Sequence, residues 1–251
     1  MESPHNGFDY IDEGQECAYL DDKYEKIHYT IIHSLSSEQL AHYTKYGWRR
    51  FGAMMHRPIC DFCNECRSLR FDVNEFKFSK SVRRIVNKNK DLKIQVSPIT
   101  IDDERVALYN RYHIYMEEKK GWEYKEVDQE AYHKSFLSCQ TSDAYEVTYR
   151  LDGVLVAIDI IDKIDDGLSS TYFVYNPDMP ERSLGKFSIY QNILLARKYK
   201  LQWIYLGYYV QKCGSLKYKT QFKPYSILLN RPKLDEQPIW SDLQYGDIPE
   251  L

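Results

Sequence analysis

The chain has 251 residues, 43% of them hydrophobic and 28% charged, with a net charge of only −3, which excludes a largely disordered chain and suits one large domain or two small ones. No apolar run reaches the roughly 18 residues of a membrane span, and the N-terminus lacks the apolar stretch of a signal peptide. We therefore expect a cytoplasmic protein with no membrane partner, in which the six cysteines are thiols or metal ligands rather than disulfides.

The first half of the chain predicts short elements on either side of a cysteine-rich segment. They are a strand at 27–33, a helix at 36–46, a strand at 68–76, a basic helix at 79–89 and a strand at 93–97. Ser36 or Ser37 offers a hydroxyl that can cap the first helix, and Gly47 favours its end.

The second half predicts longer elements. They are a helix from the Asp102 cap to Lys120, a helix at 128–138, strands at 145–151, 154–162 and 168–175, a helix at 183–199, a strand at 201–209, a short helix at 215–221 and a strand at 224–229. The turns Asp152-Gly153 and Asp165-Asp166-Gly167 join the three strands into an antiparallel meander.

This order of elements is that of the GNAT-like acyltransferases. We therefore predict an α+β or α/β fold, with a GNAT-like acyltransferase domain at 96–251 that has a mixed, largely antiparallel sheet and flanking helices. A smaller, basic, Cys-containing region precedes it at 1–95. In that fold a loop before a helix cradles a phosphate-bearing acyl donor, because free N–H groups at a helix start attract anions. Here that loop holds Gly185 and Lys186, and a helix simply capped by Ser183 fits the same residues.

Charge is strongly segregated along the chain. Residues 1–44 hold nine acids and two lysines. Residues 45–93 hold thirteen lysines or arginines and five acids, and residues 183–231 hold nine lysines or arginines and no acid. Two basic segments in a slightly acidic protein indicate a polyanion bound on one face. Ordinary solvated surface charge is the alternative.

Four cysteines are spaced as metal ligands. Cys60, Cys63 and Cys66 form a C-x2-C-x2-C array, and Cys17 lies upstream. Two-residue gaps place successive sulfurs within reach of one ion, and four thiolates suit a structural Zn²⁺ or an iron–sulfur cluster. Reduced thiols in a tight turn are the alternative.

Several motifs in one order resemble a known family. They are Gly47-Trp48-Arg49-Arg50-Phe51-Gly52, Arg57-Pro58 with the cysteine array, the segments 79–84, 87–89, 166–169, 175–178, 183–186 and 205–209, Cys213, Lys217-Tyr218-Lys219 and Phe222-Lys223-Pro224. From about Cys17 to Leu229 the chain is similar to arginyl-tRNA–protein transferases and their bacterial leucyltransferase relatives.

The resemblance implies an aminoacyltransferase that moves an amino acid from aminoacyl-tRNA to the α-amine of proteins beginning with Asp or Glu, which marks them for N-end rule degradation. Chain length and cysteine pattern resemble the bacterial members, so we expect leucyl-tRNA as the donor, with arginyl-tRNA as the alternative. An acid-free segment at 183–231 also favours leucine, because a donor arginine would require a carboxylate.

This chemistry suggests roles for particular residues. Cations hold tRNA phosphates and aromatics stack on its terminal adenine. The donor-side candidates are Gly185, Lys186, Tyr208, Tyr209, Cys213, Lys217, Tyr218, Lys219 and Lys223, with Arg83 and Arg84 behind them. Arg49 and Arg50 are candidates for the acidic side chain of the acceptor, since a guanidinium binds a carboxylate through two hydrogen bonds. Asp162 and Asp166 are candidates for binding the α-ammonium and taking its proton.

Transfer itself is expected to require no cofactor. An ester is already activated toward amines, and alignment can supply about 7–11 kcal/mol of the acceleration. An acetyl-CoA-dependent N-acetyltransferase and a metal-stabilised RNA-binding module without catalysis are the two alternatives.

Overall fold

A computed structural model describes residues 7–243. The elements are β1 (Gly7–Ile11), β2 (Gln15–Glu16), β3 (Tyr24–Glu25), β4 (Ile27–Ile32), α1 (Ser37–Lys45), β5 (Arg49–Phe51), β6 (Met54–Pro58), β7 (Arg67–Asp72), α2 (Lys80–Lys88), β8 (Lys93–Pro98), α3 (Asp103–Lys120), α4 (Gln129–Phe136), β9 (Ala144–Leu151), β10 (Val154–Lys163), β11 (Gly167–Tyr175), α5 (Leu184–Lys198), β12 (Trp203–Tyr209), α6 (Gly214–Lys217), β13 (Tyr225–Leu228) and β14 (Trp240–Leu243), with 3-10 helices at Pro180–Arg182 and Tyr218–Gln221. Over the described range, no helix is both long and apolar enough to cross a membrane.

The N-terminal part of the chain forms a four-stranded antiparallel sheet in the order β1-β4-β6-β5. One face of this sheet packs on α1 and buries Ile32 and Met55. The side chain of Ser36 accepts a hydrogen bond from the backbone of Gln39, which caps α1 as predicted. Strand β4 is also confirmed, whereas β1 and the β5–β6 hairpin are not among the predicted elements.

The second sheet has eight strands in the order β14-β13-β7-β12-β11-β10-β9-β8. Every neighbouring pair is antiparallel except β11 and β12, which are parallel. Helix α3 buries Leu108 and Tyr112 on one face, and α5 buries Phe187 and Ile193 on the other. The predicted mixed, largely antiparallel sheet with flanking helices is confirmed.

Strand β7 shows how the two halves of the chain combine. It lies between β12 and β13 in the middle of the eight-stranded sheet, although it comes from the first third of the sequence. Strand β8 spans residue 95 and pairs with β9 at the edge. The boundary expected near residue 95 therefore does not separate two sheets, and the division into domains at 1–95 and 96–251 stays a prediction.

A cleft opens where the parallel strands β11 and β12 separate. They pair only from Gly167 opposite Trp203 to Ser169 opposite Tyr205. A bulge then shifts the register of β12 between Tyr205 and Gly207. Strand β5 of the N-terminal sheet packs beside β11 at this point. The cleft is thus bounded by both sheets.

Candidate active site

A cavity of about 490 Å³ occupies this cleft. Strands β4, β5 and β6 supply one wall, β11 and β12 supply the other, and the segment after β12 adds Leu216 and Lys219. In the described part of the chain, no Asp or Glu lines this cavity. Its charged lining is cationic, so it suits an anionic group.

Arg49 extends from β5 across the cleft. Its guanidinium donates hydrogen bonds to the Ser169 hydroxyl at 3.1 Å and to the Ser170 carbonyl. Gly207 makes room for it, because a Cβ there would lie 3.1 Å from the Arg49 Nε. Burial lowers the pKa of Arg49, yet a guanidinium remains a cation at neutral pH. Both of these hydrogen-bond partners are neutral, so the positive charge is available to a ligand.

Arg50 points to the opposite side of β5 and is bound to Asp162. Its Nε and Nη2 donate to the two carboxylate oxygens at 3.0 and 2.8 Å, and the side chains are only 2% and 1% exposed. The Thr171 hydroxyl donates to the same carboxylate at 2.9 Å. The ion pair neutralises Arg50, which also contributes to the cavity lining, and gives Asp162 a structural contact.

Lys219 enters the cavity from the other side. Its Nζ donates a hydrogen bond to the Tyr208 carbonyl at 2.7 Å. Burial, and then the positive charge of Arg49, lowers the pKa of Lys219 to about 7. Near neutral pH the side chain is therefore about half in the amine form, which can accept a proton.

Tyr208 connects β12 to the N-terminal sheet. Its hydroxyl donates to the carbonyls of Gly47 and His56 at 3.2 and 3.1 Å. Burial and the neighbouring Arg49 lower the pKa of His56 to about 4, so this ring is neutral at pH 7. The aromatic wall around Tyr208 therefore adds no charge to the cavity.

The other donor-side candidates do not line this cavity. Gly185 and Lys186 are in the first turn of α5, after Ser183 with a φ of +52°. Tyr209 and Tyr218 pack on the core under the eight-stranded sheet, and Cys213 is buried with its Sγ 3.1 Å from the Ser215 Oγ. The exposed members are Lys217, Lys223, Arg83 and Arg84.

Asp166 lies in the turn between β10 and β11. Its carboxylate accepts a hydrogen bond from the Tyr205 hydroxyl at 3.2 Å and lies 3.6 Å from the Lys45 Nζ. Burial raises the pKa of Asp166. These contacts stabilise a turn outside the cavity lining, and a catalytic role for Asp166 stays a prediction.

The four predicted metal ligands come together. Cys17, Cys60, Cys63 and Cys66 line a second cavity of about 60 Å³. This cysteine pocket adjoins the larger cavity, and both are lined by Tyr19, Ile27, His56 and Tyr208.

All four cysteines are free thiols. Arg231 donates hydrogen bonds to the carbonyls of Cys60 and Cys63 at 3.1 and 2.6 Å. Burial and the other cysteines raise the pKa of Cys66 to about 12. As the described side chains stand, no three Cys, His, Asp or Glu residues are placed to hold a metal ion. Zinc or cluster binding stays a prediction.

Sequence reasoning missed most of the cavity wall. Tyr29 and His56 carry no motif and meet Arg49 only through strand pairing, in which Tyr29 lies opposite His56 and His56 opposite Arg49. Asp159, on β10, was also missed. Its buried carboxylate accepts from the Asn192 side chain at 2.7 Å, and burial raises the pKa of Asp159 to about 6.

Comparison with known proteins gives the family. Residues 15–84 match the family described as "Arginine-tRNA-protein transferase, N terminus", and residues 104–229 match its C terminus. The chain belongs to this family. The predicted aminoacyltransferase activity and the tRNA-dependent chemistry are confirmed by this membership.

The names of individual relatives agree with this family membership. "Aspartate/glutamate leucyltransferase" of Campylobacter jejuni is 42% identical over 224 residues, which cover 89% of this chain and 94% of that protein. The protein of the same name from Helicobacter hepaticus is 32% identical over 92% of this chain and 96% of that protein. Among solved structures, L-PGS from Bacillus licheniformis is 15% identical with a TM-score of 0.45, over 71% of this chain and 52% of that one.

Proposed function

We propose that this aminoacyltransferase moves leucine from leucyl-tRNA to the α-amine of proteins that begin with Asp or Glu. The observation that carries the proposal is the cavity between the two sheets, which is lined by Arg49, Lys219 and the ion-paired Arg50, has an apolar wall and lacks lining carboxylates in the described chain. The names of the relatives support the same donor and acceptors.

Arg49 is the proposed acceptor-binding residue. It lines the cavity and has neutral hydrogen-bond partners, whereas Arg50 is neutralised by Asp162. A charge-assisted hydrogen bond to a carboxylate contributes about 1.5–3 kcal/mol. Arg49 would therefore distinguish an acceptor Asp from an acceptor Asn.

The donor is proposed to be leucine because of the cavity's apolar lining. Phe51, Met54 and Leu206 present apolar side chains, and leucine gains free energy by contact with them. A donor arginine would bring a further cation beside Arg49. That cation would meet no carboxylate in the described lining, and an unpaired buried charge is strongly unfavourable.

Positioned aminolysis is the proposed chemistry. The α-ammonium, with a pKa of about 7.7–8.0, must lose a proton before its nitrogen attacks the ester, and this costs only about 1 kcal/mol at pH 7. Lys219 in its amine form is placed to take that proton. The C–N bond then forms and the ester C–O bond breaks. The second proton of the attacking nitrogen passes to the departing ribose oxygen, which leaves as a hydroxyl, and Lys219 releases the first proton to solvent. This route requires no cofactor.

The approach of tRNA is a further part of the proposal. We propose a GNAT-like transferase domain, supported by the order of β11, α5 and β12 and by the separation of the two parallel strands. Arg83 and Arg84 on α2 and Lys186 on α5 are candidates for phosphate contacts.

Binding of Zn²⁺ or a cluster by the cysteine pocket is a separate proposal, which elemental analysis of anaerobically purified protein tests.

A transfer assay tests the donor and the acceptor together. The enzyme is incubated with charged leucyl-tRNA or arginyl-tRNA and with matched peptides that begin with Asp, Glu, Asn or Ala. We expect leucine on the Asp and Glu peptides, with kcat/KM at least roughly tenfold lower for Asn than for Asp. Absence of transfer from leucyl-tRNA to acidic peptides contradicts the proposal, and equal use of arginyl-tRNA contradicts its donor.

A further inference from the structure

The N-terminal sheet has one face that continues beyond the cavity. Strand pairing places Tyr10, Tyr29, His56 and Arg49 in one row across β1, β4, β6 and β5. A second row holds Phe8, Ile31, Met54 and Phe51. Residues opposite each other in neighbouring strands share a face, so both rows are on the same side of the sheet.

The inner members of both rows line the cavity and the outer members extend past it. Arg49, Phe51, Met54, His56 and Tyr29 belong to the lining. The outer side chains are solvent-exposed: Phe8 by 61%, Tyr10 by 48% and Ile31 by 40%. The Tyr10 and Tyr29 rings stack with centroids 6.1 Å apart. The result is an apolar, aromatic surface continuous with the cavity, which we call the outer face.

A polypeptide fits this surface better than the end of a tRNA. Asp12 and Glu13 follow β1, Asp9 lies on the other face of β1 where the Thr30 hydroxyl donates to it, and residues 1–44 hold nine acids against two lysines. Phosphates would be repelled there. An extended peptide can lay its side chains on aromatic rings without bringing a high charge density.

The dimensions agree with an acceptor chain that leaves the cavity across β1. Three strand spacings of about 4.8 Å separate Arg49 on β5 from Tyr10 on β1, or roughly 14 Å. An extended peptide rises about 3.3 Å per residue, so its fifth or sixth residue reaches Tyr10 when the first is at Arg49.

We propose that the outer face of the N-terminal sheet, formed by Phe8, Tyr10 and Ile31, binds the residues that follow the N-terminal Asp or Glu of the acceptor protein. The proposal rests on the function proposed above. It makes the enzyme sensitive to several acceptor residues, with a preference for apolar side chains near the fifth and sixth positions.

Acceptor length tests this surface. The double variant Phe8→Ser/Tyr10→Ser is compared with wild-type enzyme on an Asp-initiated dipeptide and on an Asp-initiated peptide of about seven residues with apolar side chains at its fifth and sixth positions. We expect the KM for the longer peptide to rise roughly fivefold or more. The KM values for the dipeptide and for leucyl-tRNA should not change.

Val154→Ser is the matched control, since Val154 is also 61% exposed but lies at the start of β10 in the other sheet. Equal effects of the double variant on both peptides, or no effect on either, would overturn the proposal. A raised KM for leucyl-tRNA alone would assign the outer face to tRNA and would also overturn it. Failure of wild-type enzyme to modify either peptide instead refutes the proposed function.

Discussion

Arg49 and Arg50 are neighbours in the sequence with different surroundings. Successive side chains of a strand point to opposite faces, so β5 sends Arg49 into the cavity and Arg50 to Asp162. The Arg49-Arg50 pair is visible in the sequence, but the strand that separates the two side chains was not predicted. The sequence therefore identified both arginines as candidates and could not distinguish a binding group from a structural one.

Lys219 is expected to set the acidic limb of the pH profile. Because burial and Arg49 lower its pKa to about 7, the amine form predominates above that pH and the ammonium form below it. We expect kcat/KM of the wild-type enzyme to fall as the pH decreases through about 7, in addition to the fall caused by protonation of the acceptor amine. Profiles with the same peptide for wild type and Lys219→Met isolate this contribution.

Lys219→Arg separates proton transfer from charge. Arginine keeps the positive charge but cannot accept a proton at these pH values. If Lys219 takes the proton, the arginine variant should be as impaired as the methionine variant. Recovery of activity by arginine, or an unchanged shape of the methionine profile, would show that Lys219 only supplies a cation.

At the scale of elements, local signals identified the helices and the meander. The Ser36 and Asp102 caps, the Asp152-Gly153 turn and the apolar periodicity of α3 and α5 all lie within a few residues of the element they define. The position of β7 between β12 and β13 depends on long-range pairing, which no local pattern encodes. The cavity wall depends on the same pairing, which explains why Tyr29 and His56 were missed.

The bulge of β12 has a testable role. Gly207 has a φ of +75°, and an added Cβ would lie 3.1 Å from Nε and 3.2 Å from Cζ of Arg49. Gly207→Ala should therefore displace Arg49 and lower kcat/KM for an Asp peptide by roughly tenfold or more, if one charge-assisted hydrogen bond is lost. Kinetics with Asp and Asn peptides measure this loss, which should be smaller for Asn.

Gly153→Ala is the control for backbone strain. Gly153 has a φ of +88°, and an added Cβ there meets no atom within 4 Å among the described residues. Both substitutions place alanine in the left-handed region and should each cost about 1 kcal/mol of unfolding free energy. Gly153→Ala should leave the kinetics unchanged. An equal kinetic loss in the two variants would show that general strain, rather than displacement of Arg49, reduces activity.

At the scale of the whole molecule, the contact between the two sheets determines the shape of the cavity. The ion pair between Arg50 and Asp162 joins β5 of the N-terminal sheet to β10 of the eight-stranded sheet. Arg57 of the N-terminal sheet donates a hydrogen bond to the Pro232 carbonyl. Arg231 of the C-terminal segment donates to the carbonyls of Cys60 and Cys63 in the cysteine loop. Because Arg50 also lines the cavity, the shape of the cavity depends on how this ion pair holds the two sheets.

A double-mutant cycle tests this connection. Arg50→Met leaves a buried carboxylate without its cation, and Asp162→Leu leaves a buried guanidinium without its anion. Each should lower the free energy of unfolding by about 3–5 kcal/mol. The double variant removes both charges, so most of that stability should return, as measured by urea unfolding. Costs below about 1 kcal/mol for both single variants would show that water reaches the pair.

The double variant also separates folding from function. An apolar pair fills the space but lacks the two directed hydrogen bonds that fix β5 against β10. If those bonds set the position of Arg49, the double variant should fold stably and still show a reduced preference for Asp over Asn peptides. Full recovery of both stability and acceptor preference would mean that packing alone positions the two sheets, and that the charges are dispensable for the cavity's geometry.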